Sequence, residues 1–228
     1  MEREALKKAL NKRIESEDFS ELITADKFRL YNLNYQNYGN YICLEEFSEL
    51  REAITRLIRG RITEPNDISI EEEFVDVLIS LEYLYGIYYY GKNATEDEIL
   101  NKLLMDNYAI RSNRAESSIK NKDGSEFIDS IFELTNTNWV DCDLSPLFKT
   151  LNQLERTVIQ IGFSTDFADV MNMPTWKKYL ICKNIEKAYF IIQTYATYIF
   201  NITYEHIFHI KEIKRHRLAD RYGIMLRD

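Results

Sequence analysis

Apolar side chains recur at spacings of three and four along much of this chain, the period of an amphipathic helix. Phe47, Leu50, Ile54, Leu57 and Ile58 trace one stripe; Phe74, Val77, Leu78, Leu81 and Leu84 trace a second. Between them, Gly60 to Ser69 contains Pro65-Asn66-Asp67 and reads as the link of a helix–loop–helix hairpin. The second helix continues to about Tyr90, where Gly91-Lys92-Asn93 ends it. Thr95 and Glu98 then form a capping box for a helix reaching about Arg114. Leu6, Ala9, Leu10 and Ile14 predict an N-terminal helix, and Ser145-Pro146 opens one through Ile161. Ile207, Ile210, Ile213 and Leu218 mark a last helix from Glu205 to Arg221, with Tyr222-Gly223 as its stop. The most apolar window, Tyr189 to Phe208, contains Gln193, Asn201, Glu205 and His206, so it reads as a buried helix and not a membrane span. Seven glycines and three prolines leave little for tight turns. An all-α helical bundle is expected.

Acidic residues border two of these stripes: Glu45, Glu46 and Glu49 on the first, and Glu71, Glu72, Glu73 and Asp76 on the second. Residues three apart share a helix face, so Glu46 points with Glu49 and Glu73 with Asp76. An antiparallel hairpin can bring both pairs together. Two like charges about 4 Å apart repel by roughly 4 kcal/mol at an effective dielectric near 20, so such a cleft needs cations or raised pKa values. Carboxylate-only clusters suit hard ions, Mg²⁺ above all. The alternative is two solvated acidic faces.

The residues spell E-E-x-x-E, a gap, then E-x-x-D, in Leu44-Glu45-Glu46-Phe47-Ser48-Glu49-Leu50 and Glu72-Glu73-Phe74-Val75-Asp76-Val77-Leu78. This resembles the signature of the all-α nucleoside triphosphate pyrophosphohydrolases, which include MazG-like enzymes and the dimeric dUTPases and dCTPases. The wording looks most like the short MazG-like proteins of phages, over about Phe28 to Tyr90. The resemblance implies a four-helix catalytic core and Mg²⁺-dependent cleavage of a nucleoside triphosphate, dUTP or dCTP as a first guess, to the monophosphate and pyrophosphate. It implies Glu46, Glu49, Glu73 and Asp76 as metal ligands, with Glu45 orienting or deprotonating the attacking water. Asn34, Tyr35, Gln36 and Tyr38 stand where the family holds the base, although tyrosines there can equally serve packing. Arg217 to Gly223 loosely resembles the basic last motif of dimeric dUTPases, which makes Lys214, Arg217 and Arg221 phosphate-binding candidates beside Lys102, Arg111 and Arg114. The implied partner is a second copy of the chain, or else the chain contains its own pseudo-partner. An inactive helical module that binds nucleotides or proteins is the rival reading.

The remaining features narrow the picture. A net charge of −8 over 228 residues, with pI near 5.1, disfavours general nucleic-acid binding. Cys43, Cys142 and Cys182 form no C-x-x-C pair and fit a reducing cytoplasm, host cytoplasm for a phage protein. Met1 to Asp18 is charged throughout and lacks a signal-peptide core. His206 and His209 could share a face. The second half reads as a degenerate repeat. Asn152, Gln153 and Arg156 fall where Glu45, Glu46 and Glu49 stand, and Glu186 to Tyr189 falls where Glu73 to Asp76 stands. The expected organisation is an accessory helix (1–27), a metal-binding half (28–114), a connecting segment (115–145) and a second half with a basic helix (146–228).

Overall fold

The computed structural model describes residues 39–60, 68–90, 98–103, 142–161 and 172–222, and the regular structure there is entirely helical. Helix α1 spans Gly39–Ile58 and α2 spans Ile68–Tyr85, passing directly into a π-helical turn, Gly86–Tyr90. Helix α3 spans Ser145–Ile161; α4 spans Thr175–Thr194 and also runs into a π-helical turn, Tyr195–Ile199. Helix α5 spans Tyr204–Tyr222, and residues 98–103 form a short helical segment. The N-terminal helix and the 115–141 segment lie outside the described residues, as do Asn34, Tyr35, Gln36, Tyr38, Arg111 and Arg114.

Local chemistry sets the helix ends. Gly60 adopts φ +67°, and its N–H donates to Leu57 O at 2.9 Å, the left-handed stop that glycine favours after a helix. Asp143 Oδ1 accepts the Ser145 N–H at 2.9 Å, and Pro146 sits in the first turn of α3, where a missing N–H costs nothing. The Ser145 hydroxyl also donates to Asp143 Oδ1, and this bond together with the N–H bond holds the Asp143 carboxyl below its ordinary range. At α5, Thr203 Oγ1 accepts the His206 N–H at 3.2 Å.

Helix α1 packs on α2 and α3, α4 packs on α2 and α3, and α5 lies against α2. The first four helices therefore close a ring around one core, in which Phe47, Phe74, Leu151 and Ile185 are fully or almost fully buried. The two hairpins, α1–α2 and α3–α4, meet reciprocally. Tyr85 Oη donates to Glu186 Oε1 at 3.0 Å, and Tyr189 Oη donates to Glu82 Oε1 at 2.8 Å. Each glutamate precedes its tyrosine by three residues; 186 against 82 and 189 against 85 give a constant shift of 104. The same shift carries buried Cys43, Phe47, Leu50 and Ile54 onto buried Leu147, Leu151, Leu154 and Val158. It also pairs Arg51 with Glu155, whose side chains meet at 2.7 Å. Matched patches contacting each other in both directions are the arrangement of a two-fold interface.

Two expectations change. Amphipathic helices align at several slips, and the sequence reading stands three residues off the shift of 104 in the first helix and nine in the second. That shift makes Thr150, Gln153, Lys177 and Leu180 the counterparts of Glu46, Glu49, Glu73 and Asp76, so the second hairpin retains no carboxylate of the set. The apolar window from Tyr189 to Phe208 is not one helix. It breaks after Ile199, where Asn201 takes a left-handed φ of 57° and α5 departs from Tyr204.

Candidate metal centre

The acidic site is built between α1 and α2, where α5 reaches α2. A Cβ on Gly39 would meet Tyr83 Oη at 2.6 Å, so the missing side chain lets α1 lie tightly along α2. Antiparallel packing then sets the middle of α1 beside the first turns of α2. Glu46, Glu49 and Glu73 each offer a carboxylate oxygen, and these oxygens lie within 4.8 Å of one another. Glu46 and Glu73 are half-buried while Glu49 is exposed. Glu73 Oε2 is buried and meets no hydrogen-bond donor among the described residues.

The electrostatics follow from burial and like charge. Burial first, then Asp76, Glu49 and Glu73, push the Glu46 carboxyl up to about 8. Burial, Glu49 and Asp76 push Glu73 up to about 7. Asp76 is also raised, chiefly by burial, with the Lys214 ammonium opposing the rise. The site is therefore short of positive charge, and an ion accepting hard oxygen ligands fits its donors.

Part of that charge comes from α5. Lys211, buried on α5, pairs with the buried Glu82 of α2, the glutamate that also accepts Tyr189 Oη. This anchor fixes the rotation of α5, so that Lys214, one turn further, reaches Asp76 Oδ2 at 2.5 Å. Lys214 Nζ also stands 3.9 Å from Glu72, and Arg217 stands 3.7 Å from the same carboxylate. Arg221 lies exposed on the last turn of α5, and Glu45 is exposed on α1, one turn before Glu49. His206 and His209 are exposed, His206 lying 3.8 Å from Glu71. The structure thus gathers Glu46, Glu49 and Glu73, sets Asp76 beside them in the grip of Lys214, and brings Arg217 to the rim. Lys102 lies elsewhere, against Tyr88 and Tyr89 at the far end of α2.

Glu72, which received no ligand role from the sequence, lies within reach of both Lys214 and Arg217. The Lys211–Glu82 anchor was missed. The repeated E-x-x-Y at 82–85 and 186–189 was its signal in the sequence, since both glutamates fall on otherwise apolar helix faces. Cys43 and Cys182 are buried free thiols, and Cys142 is partly exposed and also free. No helix among the described residues is long and apolar enough to cross a membrane. The chain matches no known protein family, no curated protein and no solved structure.

Proposed function

We propose that the acidic end of the α1–α2 hairpin binds Mg²⁺ and that the protein hydrolyses a nucleoside triphosphate to the monophosphate and pyrophosphate, with dUTP or dCTP as the first candidates. The observation carrying this reading is the convergence of three carboxylate oxygens within 4.8 Å, beside a fourth carboxylate already paired with a lysine. Glu46, Glu49, Glu73 and Asp76 would hold the ion. Bound there, Mg²⁺ supplies charge neutralisation and a water of lowered pKa. Lys214 and Arg217 bind the phosphate oxygens, with Arg221 one turn beyond. Glu45 accepts the proton of the water attacking the α-phosphorus, and pyrophosphate leaves. The working unit in this reading is a single chain, in which α3–α4 stands where the expected homodimer would put a second subunit.

The Lys214–Asp76 pair also favours a second reading. A lysine that replaces a cation permanently would leave a module that binds nucleotides without turning them over. The deciding experiment incubates the protein with a panel of nucleoside triphosphates and Mg²⁺ and follows pyrophosphate release. Turnover is expected in the wild type and lost in Glu49→Gln and Asp76→Asn, both still helical by circular dichroism. Lys214→Ala should raise KM by an order of magnitude or more, since hydrogen bonds to charged groups are worth roughly 1.5–3 kcal/mol. Wild-type rates in the two carboxylate variants overturn the site, while binding without turnover across the panel selects the second reading.

A further inference from the structure

A cavity of about 370 Å³ opens at the opposite end of α2, between its π-helical turn, the 98–103 segment and the first turns of α4. Tyr88, Tyr89 and Tyr179 line it together with Lys102, Lys178 and Lys183. Rings and ammonium groups are interleaved. Lys102 Nζ stands 5.9 Å from the centre of the Tyr89 ring, and Lys183 Nζ 5.8 Å from that of Tyr179. Tyr89 is stacked on Tyr85 with centroids 5.1 Å apart and 11° between planes, which holds its ring rigid while half its surface stays open. Tyr179 is 61% exposed. The acid lining the cavity is Glu186, whose carboxylate is engaged by Lys183 at 2.5 Å and by Tyr85 Oη. Helix α4 has no acidic residue in its first turn. Among the described lining residues, three lysines thus stand against one glutamate, in a chain of net charge −8.

These groups suit a ligand that joins a planar ring to a phosphate. A ring can stack on a tyrosine face whatever its identity, and lysines bind phosphate as point charges. The volume lies in the range of small-molecule sites and is too small for a folded partner. From Asp76 to Tyr88 the rise along α2 is roughly 18 Å at 1.5 Å per residue, so the cavity is separate from the carboxylate cluster. We propose that it is a second, metal-independent site that binds a nucleoside monophosphate. The argument rests on the lining of this cavity and not on the activity proposed for the acidic end.

The test is calorimetric titration of the full chain in EDTA with adenosine and uridine monophosphates, with ribose 5-phosphate as the ringless probe. Saturable binding of at least one nucleotide is expected, with ribose 5-phosphate weaker by about tenfold or more, the effect of losing one stacked base. Tyr179→Ala and Lys178→Ala should each weaken nucleotide binding by about tenfold or more. Tyr179 is exposed enough that its loss leaves the fold intact, which thermal melts followed by circular dichroism check. No saturable binding of either nucleotide overturns the proposal, as does ribose phosphate binding equally well. Nucleotide affinity that survives both variants but falls in Glu49→Gln places the ligand at the acidic end and overturns it too.

Discussion

The two hairpins share a frame and differ in charge. Between α1–α2 and α3–α4 the buried positions correspond at a shift of 104, down to the glutamate and tyrosine that each hairpin lends the other. At the acidic end the correspondence stops: the second hairpin carries Thr150, Gln153, Lys177 and Leu180 at the positions equivalent to Glu46, Glu49, Glu73 and Asp76. Thr150 turns its hydroxyl onto Pro146 O at 2.9 Å, so the second hairpin satisfies that position internally. Burial constrains both copies alike, because a core position loses transfer energy and packing when it changes. A cluster of like charges is different. It is a standing cost that protonation or a cation must relieve, so a hairpin without a ligand to hold loses nothing by discarding it.

The comparison is broken most severely at its two glutamates. Glu82 in the first hairpin is matched by buried Lys211, Glu186 in the second by Lys183, which is 47% exposed. Lys211→Ala should cost about 3–5 kcal/mol in urea unfolding, because it leaves a buried carboxylate without its cation. Lys183→Ala should cost less, about 1–3 kcal/mol: Glu186 is also buried and keeps Tyr85 Oη as a donor, but Lys183 itself is half in water. Equal losses would mean that α5 is not the element locking the first hairpin.

A medium effect comes from the acidic end. Glu46 is raised from its ordinary 4.5 to about 8, so in that window the folded chain keeps a proton that the unfolded chain gives up. This stability is complete below pH 4.5 and is lost as pH rises through about 8. Unfolding free energies measured in EDTA should therefore fall across that range, and Glu46→Gln should flatten the fall. Millimolar Mg²⁺ should reverse it. A profile unchanged by either treatment would remove the charge crowding from the comparison.

The smallest effect lies near the axis between the hairpins. Arg51 and Glu155 occupy matching places and are partly exposed. Glu155→Arg should destabilise the chain by about 0.5–1 kcal/mol, and adding Arg51→Glu should restore most of it in a double-mutant cycle. Additive losses would mean that the two side chains do not interact in solution.

Much of this frame was legible in the sequence. The stripes through Phe47–Ile58 and Phe74–Leu84 gave the first hairpin, Ser145-Pro146 gave the start of α3, and α5 runs within a residue of its expected bounds. Spacing alone put Glu46 with Glu49 and Glu73 with Asp76, and a basic face of α5 pointed to Lys214 and Arg217. The register between the halves was not legible, because amphipathic helices look alike when slipped by three or four residues. Only a contact as specific as Tyr85 with Glu186 distinguishes one slip from another. The break before α5 was implied by the start expected at Glu205 but was not located. Its mark in the sequence is Asn201, which can turn left-handed but usually does not.

The bonds that join the hairpins span long stretches of chain. Tyr85 to Glu186 closes 101 residues, Tyr189 to Glu82 closes 107, and Lys211 to Glu82 closes 129. Each hairpin can assemble from neighbours in the sequence, but its buried glutamate lacks the tyrosine of the other hairpin until that one arrives. A helical protein with mostly local contacts folds fast; here the entropy of closing loops of this length must be met before the reciprocal contacts form. Docking of two preformed hairpins is then the slow event in folding. Until it occurs, Glu82 and Glu186 stay hydrated, and they oppose any premature collapse of one hairpin onto itself.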